Sequence, residues 1–85
     1  METLYNITTF HSTHAALTFE LLLKNNNLEI KIIPVPRQIS ASCGLAGRFL
    51  SKDIDQVLNL IDNESLKVNQ IYQIIDGEYY KTSIK

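Results

Sequence analysis

The sequence predicts an α+β domain with a ferredoxin-like order, β-α-β-β-α-β. In this fold an antiparallel sheet carries two helices on one face, and here a C-terminal hairpin strand is added. Three observations predict it. Apolar and charged residues alternate from Leu28 to Ile32, as in a strand with one buried face. Apolar residues between 54 and 61 recur at helical spacing. Asp76-Gly77 is typical of a two-residue hairpin turn.

Each element has a local cause in the sequence. Threonines and apolar residues before Phe10 suit a strand, and Ser12 or Thr13 is a candidate N-cap for the first helix. An asparagine run ends that helix, and one asparagine is expected in the left-handed conformation. Prolines end the second strand because they cannot donate to a ladder. Asp53 and Gln56 resemble a capping box for the second helix. The predicted strands are 4–10, 28–33, 44–50, 68–75 and 78–84, and the predicted helices are 14–25 and 53–62.

Composition narrows the function classes. The 85 residues, 45% hydrophobic and 20% charged, are expected to form a single domain over 1–85, and they exclude a disordered tail. The net charge is -1 and no basic stripe is evident, so no nucleic-acid partner is expected. No membrane is expected either, because no apolar run approaches the roughly 20 residues of a membrane span. With no recognisable signal peptide and a single cysteine, the sequence predicts a cytoplasmic protein.

The first predicted helix is apolar nearly all round. Ala15, Phe19 and Leu22 lie on one side, and Leu17 and Leu21 lie on the other. A helix on one sheet buries only one stripe. The favoured interpretation is a wide contact with the core. The alternative is contact with a second subunit, which leaves a homodimer open.

Cys43 is the candidate reactive residue. It ends a loop that contains prolines and serines, and loops lie at the surface. Gly44 leaves room for a partner's sulfur to approach. Arg37 in the loop and Arg48 in the next strand are cations that stabilise a thiolate, which is the nucleophilic form. The alternative is a buried cysteine that serves as a small apolar side chain.

The same loop also predicts a binding pocket. Arg37 is a candidate for binding an anion through its guanidinium group, and Ser40, Ser42 and backbone amides would complete the pocket. The alternative is an exposed arginine that pairs with Asp53 or Asp55. The loop 34–42 therefore supports a second hypothesis for the whole protein, a non-catalytic module that binds a small anion.

Two histidines flank the start of the first helix. His14 lies in its first turn and is a candidate to hydrogen-bond a thiol or to accept its proton. The alternative is a surface histidine near a helix cap. His11, His14 and Cys43 would make an open zinc site, but their spacing fits no standard zinc motif. No metal and no bound cofactor are therefore expected.

Two segments of the sequence resemble a known family of small domains. They are Pro34-Val35-Pro36-Arg37-Gln38-Ile39-Ser40-Ala41-Ser42-Cys43-Gly44 and Phe10-His11-Ser12-Thr13-His14-Ala15-Ala16-Leu17 with Glu20. The family is described as "putative selenium/sulfur carrier protein-like", and the resemblance extends from the first strand to about Ile75. It implies a carrier rather than a stand-alone enzyme, which holds sulfur or selenium on Cys43 as a persulfide or perselenide. The resemblance also implies that four residues surround this thiol: Arg37, Ser42, Gly44 and His14.

The resemblance also implies partners. They are a sulfur or selenium donor such as a cysteine desulfurase, and an acceptor protein that the sequence does not name. One cysteine suffices, because the acceptor supplies the second nucleophile. An oxidoreductase that resolves its own disulfide would need a second cysteine.

Three features depart from the family pattern. Ala41 replaces a serine, which removes one hydrogen-bond donor. Gly47 stands where a larger apolar residue is common, and it is expected to loosen the third strand. The hairpin at Asp76-Gly77 is an addition.

Overall fold

The helices and strands follow one another in the predicted order. The computed structural model describes residues 4–39 and 44–82. The elements are β1 (Tyr5–Thr9), α1 (Thr13–Asn25), β2 (Ile30–Pro34), β3 (Leu45–Leu50), a 3-10 turn (Ser51–Asp53), α2 (Ile54–Asn63), β4 (Gln70–Ile75) and β5 (Glu78–Thr82). The predicted α+β class is confirmed.

The strands form one antiparallel sheet in the order β2-β3-β1-β4-β5. β3 lies between β1 and β2, so the connection through α1 passes over β3. β5 is added beside β4, and the five-strand order therefore differs from that of a four-stranded ferredoxin-like sheet. The structure confirms an antiparallel sheet with two helices.

Both helices pack on one face of the sheet, around three phenylalanines. The ring of Phe19 in α1 lies 5.3 Å from the ring of Phe10 and 6.0 Å from that of Phe49, measured between centroids. The rings are tilted, which suits the charge distribution of aromatic faces and edges. Val57 and Ile61 of α2 belong to the same buried cluster. This shared core fixes both helices against the sheet.

Gly47 allows α1 to approach the sheet closely. A Cβ at this position would lie 3.0 Å and 3.1 Å from two ring carbons of Phe19, and 3.3 Å from Cδ1 of Ile30. The Phe19 ring therefore occupies the space that a side chain would need. The expected loosening of β3 is not observed, because the strand runs without a break through this residue.

The ends of α1 match their predicted signals. The hydroxyl of Ser12 accepts a hydrogen bond from the backbone N–H of Ala15 at 3.1 Å, which makes Ser12 the N-cap. Asn27 has φ 59°, the left-handed conformation predicted for one asparagine of the run. The N–H of Leu28 then donates to the carbonyl of Leu23 at 3.0 Å. This reversal holds Leu28 against the core, so β2 begins two residues later than predicted.

The predicted capping box at the start of α2 does not form. Asp53 precedes the helix, but its side chain makes no capping hydrogen bond. The 3-10 turn leads the chain into the helix instead, and the N–H of Ile54 donates to the carbonyl of Ser51. The helix predicted from the spacing of apolar residues is nevertheless present, because that spacing reflects the burial of one helix face and not the cap.

The two hairpins differ from the prediction only at their edges. Pro34 is the last residue of β2 and pairs with Leu45. The strand was predicted to end one residue earlier, but an edge strand tolerates proline. Asp76 and Gly77 have φ values of 50° and 79°, which confirms the tight turn between β4 and β5. The structure describes β5 to Thr82, and the predicted end at residue 84 lies outside the described residues.

The wide core contact predicted for α1 was wrong. The helix buries one stripe, formed by Ala16, Phe19 and Leu23. Leu17 is 52% exposed and Leu21 is 61% exposed, so neither belongs to the core. The homodimer stays a prediction. Neither described helix is long and apolar enough to cross a membrane.

Candidate functional site

Two of the predicted site segments leave the sheet at the same end. β1 ends at Thr9, which pairs with Ala46 near the start of β3. Ala46 in turn pairs with Ile33 near the end of β2. The junction between β1 and α1 and the loop between β2 and β3 therefore both extend from this end of the sheet. We call it the loop end.

The loop between β2 and β3 is tied at its base and folded back on itself. The N–H of Val35 donates to the carbonyl of Gly44 at 3.1 Å. The N–H of Ile39 donates to the carbonyl of Pro36 at 3.0 Å, which closes a turn around Arg37. Ile39 is only 7% exposed although it lies outside the core under the helices. Part of the loop therefore packs on the protein.

Arg37 is exposed at the tip of this turn. It forms no ion pair with any residue in 4–39 or 44–82. The alternative of a pairing with Asp53 or Asp55 is thus not observed among the residues that the structure describes. Anion binding by its guanidinium group stays a prediction.

Three of the predicted site residues lie outside the described residues. They are Cys43, Ser40 and Ser42, whose roles as carrier thiol and binding hydroxyls stay predictions. Gly44, which follows the cysteine, is described and exposed. Beyond its chain neighbours, no described heavy atom lies within 4 Å of the position of a Cβ on Gly44. As far as the described atoms go, the space beside this glycine is open, as a close approach would require.

His14 lies at the loop end, in the first turn of α1, and is exposed. Its carbonyl oxygen accepts a hydrogen bond from the hydroxyl of Thr18 at 2.9 Å, while its ring is left to solvent. His11 is exposed as well. Within the described ranges, no three His, Cys, Asp or Glu side chains lie close enough to hold a metal ion. Cys43, the third ligand considered for zinc, is not among the described residues.

A buried polar cluster holds the loop end together, and sequence reasoning missed it. The hydroxyl of Thr8 donates to the carbonyl of Gln70 at 3.1 Å. The backbone N–H of Asn69 donates to the carbonyl of Thr9 at 2.8 Å, and its side-chain amide donates to the hydroxyl of Thr9 at 3.2 Å. These bonds fix the end of β1 against the start of β4. The end of β1 is therefore fixed in position, and α1, with His14 in its first turn, begins a few residues later.

Arg48 does not face the loop end as a thiolate partner would. Its guanidinium carbon lies 4.3 Å from the centroid of the Tyr5 ring, in a cation–π stack. Tyr5 is the first residue of β1, at the opposite end of that strand from Thr9. The stack therefore places the Arg48 guanidinium beside the end of β1 that is opposite to the loop end.

The family model described as "Putative Se/S carrier protein-like" matches residues 5–73. The chain belongs to this family. The match runs from β1 into β4 and includes the β1–α1 junction and the whole loop between β2 and β3. It ends before β5, so the C-terminal hairpin strand lies beyond the matched region. No curated protein and no solved structure matches the chain significantly.

Proposed function

We propose that this protein carries sulfur or selenium on Cys43 and passes it to an acceptor protein. The observation that carries the proposal is membership of the Se/S carrier protein-like family over residues 5–73. Cys43 is the single cysteine of the chain, so a thiol-bound cargo is attached there. Interaction with donor and acceptor proteins follows from the carrier role.

Loading is an attack of the Cys43 thiolate on the outer sulfur of a donor persulfide. A new S–S bond forms between Cys43 and that sulfur, while the S–S bond within the donor breaks. The donor leaves as a thiolate, and the sulfur arrives at the oxidation level at which it left. No external oxidant or reductant is therefore consumed. A cysteine desulfurase has the right chemistry for the donor, and a perselenide forms in the same way.

Discharge repeats this exchange in the other direction. The thiolate of the acceptor attacks the outer sulfur on Cys43, and the carrier is restored as a thiolate. A single cysteine completes the cycle, because each partner supplies one thiol. We place this cycle in the cytoplasm, where reducing conditions preserve a free thiol between transfers.

Three described residues, Arg37, Gly44 and His14, support this chemistry. Arg37 is exposed and unpaired within the described residues, so its positive charge favours a thiolate or a persulfide anion in the same loop. The space beside Gly44, free of described atoms beyond its chain neighbours, suits the approach of a second sulfur. His14 is exposed at the same end of the sheet, where it is a candidate to accept the thiol proton.

Intact mass spectrometry tests the proposal. The native chain is incubated with a cysteine desulfurase and cysteine, beside Cys43→Ser. We expect the native chain to gain the mass of one sulfur atom and to lose it on reduction. The Cys43→Ser variant should gain no mass. Equal thermal unfolding of the two chains shows that the variant is folded. The proposal fails if no sulfur is gained and Cys43 reacts with a thiol reagent no faster than free cysteine. Binding of a small anion at Arg37 would then be the better hypothesis.

A matched pair of variants tests the role of Arg37. Arg37→Gln removes the cation of the loop, and Lys52→Gln removes an exposed cation from the 3-10 turn. An exposed charge interaction contributes about 0.2–1 kcal/mol, so Arg37→Gln should slow loading by about 1.4-fold to fivefold. Lys52→Gln should leave the loading rate unchanged. Equal rates for both variants would remove Arg37 from the site.

A further inference from the structure

The face of the sheet opposite the helices carries three cations in one row. Side chains of adjacent strand residues point to opposite faces. Gly47 faces Phe19 of α1, so its neighbour Arg48 lies on the other face. From β2 to β5, successive cross-strand neighbours on this open face are Lys31, Arg48, Ile7, Tyr72 and Lys81. We call these five residues the cationic row. Ile7, at its centre, is fully buried, so the row is exposed on either side of it, at Lys31 and Lys81 and in part at Arg48 and Tyr72.

No described carboxylate neutralises the cationic row. None of the described strand residues on the open face is acidic. Glu29 directly precedes β2, but the ion pair that the described residues form joins Lys24 to Glu20. The chain as a whole has a net charge of -1. The open face is therefore a local concentration of positive charge on a nearly neutral protein.

Arg48 is held in place without an ion pair. Its guanidinium group stacks on Tyr5 with the carbon atom 4.3 Å from the ring centroid. Its Nε atom is buried and has no hydrogen-bond acceptor among the described residues. The side chain as a whole is only half-buried. An arginine oriented by an aromatic ring loses little conformational freedom on binding, so Arg48 is prepared for an incoming acceptor.

Apolar and aromatic side chains surround these charges. Tyr72 lies within the row, and Ile74 and Tyr79 form a neighbouring cross-strand pair on the same face. All three are half-buried, so each keeps part of its surface for a contact. Tyrosine and arginine are enriched among the residues that dominate protein interfaces. The face thus combines apolar contact area with unpaired positive charge.

We propose that this open face docks an acidic segment of a partner protein, with carboxylates of the partner on the cationic row. Three cations are few for a nucleic acid, whose affinity grows with the number of phosphates neutralised. The Tyr5 ring is also covered by Arg48, which removes it as a platform for stacking bases. A protein with clustered carboxylates and some apolar surface is the better complement.

The docking face lies close to the loop that carries Cys43. Arg48 is three residues from Leu45, the first residue of β3, and that distance is about 10 Å along a strand. A protein seated on the open face therefore reaches the loop end. The role given to the partner, as donor or acceptor, rests on the proposed carrier function. The binding of an acidic segment to the open face does not.

NMR titration of the whole chain tests the proposal with two probes, a glutamate-rich peptide and a single-stranded oligonucleotide. Lys31→Glu/Lys81→Glu reverses two charges of the row. Lys52→Glu/Lys67→Glu reverses two exposed charges elsewhere and changes the net charge equally. We expect the peptide to shift the amides of the open face. Its affinity should fall about tenfold or more in the first double variant and less than about threefold in the second.

Four results would overturn the proposal. They are no binding of the peptide, an equal loss in the two double variants, shifts that map to the helices, and binding of the oligonucleotide but not the peptide. Thermal unfolding of each variant shows that it is folded. The titration involves no sulfur transfer, so its failure leaves the loading experiment on Cys43 unaffected.

Discussion

At the scale of single residues, two glycines of the β2–β3 hairpin have opposite surroundings. Gly47 is buried under α1, where a Cβ would lie 3.0 Å from a ring carbon of Phe19. Gly44 is exposed, and no described atom beyond its neighbours would lie within 4 Å of its Cβ. The first glycine is required by packing. The second is not required by packing against any described residue.

Replacing the two glycines by alanine should separate these roles. Gly47→Ala forces the Phe19 ring or the β3 backbone to shift, and overpacking of this kind costs about 1–3 kcal/mol. Gly44→Ala should change the free energy of unfolding by less than about 0.5 kcal/mol, as surface substitutions do. Urea denaturation measures both. An equal loss of stability in the two variants would contradict the packing described here.

At the scale of the elements, the two helices begin in different ways. Ser12 caps α1 through a hydrogen bond to the N–H of Ala15. Asp53 occupies the equivalent position before α2, but its side chain makes no such bond. The start of α1 therefore depends on its side-chain cap, and the start of α2 depends on the 3-10 turn that precedes it.

Alanine substitutions at these two positions should differ in cost. Ser12→Ala removes the capping acceptor and should lower the free energy of unfolding by about 0.5–2 kcal/mol. Asp53→Ala should cost less than half of that, because no capping bond is lost. Thermal unfolding followed by circular dichroism compares them. A larger loss for Asp53→Ala would show that the helix starts are assigned wrongly.

The exposed face of α1 gives a second prediction at this scale. Leu17 and Leu21 lie outside the core, so Leu17→Ser/Leu21→Ser should change the unfolding free energy by less than about 1 kcal/mol, which is about 0.5 kcal/mol for each surface substitution. Leu23→Ala, at a fully buried position, should cost about 2–5 kcal/mol. The measurement is chemical denaturation at two protein concentrations. If the native chain dimerises through these leucines, its midpoint will depend on concentration, and that of the double variant will not.

At the scale of the whole molecule, most of the fold could be predicted because its causes are local. The alternation around Ile30, the helical spacing around Val57 and the turn at Gly77 each depend on neighbouring residues. The alternation of apolar and charged residues placed Leu28 in β2, but the strand begins at Ile30. The sequence pattern does not show that the N–H of Leu28 bonds to the carbonyl of Leu23 at the end of α1. Element order was therefore predicted better than element ends.

The binding surfaces could be predicted only in part, because they depend on register. The loop with Arg37 was identified from its composition and from the family resemblance. The cationic row was missed, because Lys31, Arg48 and Lys81 are far apart in the sequence and meet only through cross-strand pairing. The stack of Arg48 on Tyr5 has the same non-local origin. No pattern among neighbouring residues in the sequence predicts this stack.

The central proposal for this small sheet is that its single cysteine, Cys43, holds sulfur and passes it to an acceptor, with the open face as the proposed docking surface. Transfer of labelled sulfur tests this most directly. The chain is loaded from labelled cysteine by a desulfurase, separated from it, and mixed with glutathione as the acceptor thiol. The carrier account predicts stoichiometric label on the native chain, its passage to glutathione, and no label on Cys43→Ser. Label that stays on the chain, or that appears on Cys43→Ser as well, would contradict the account.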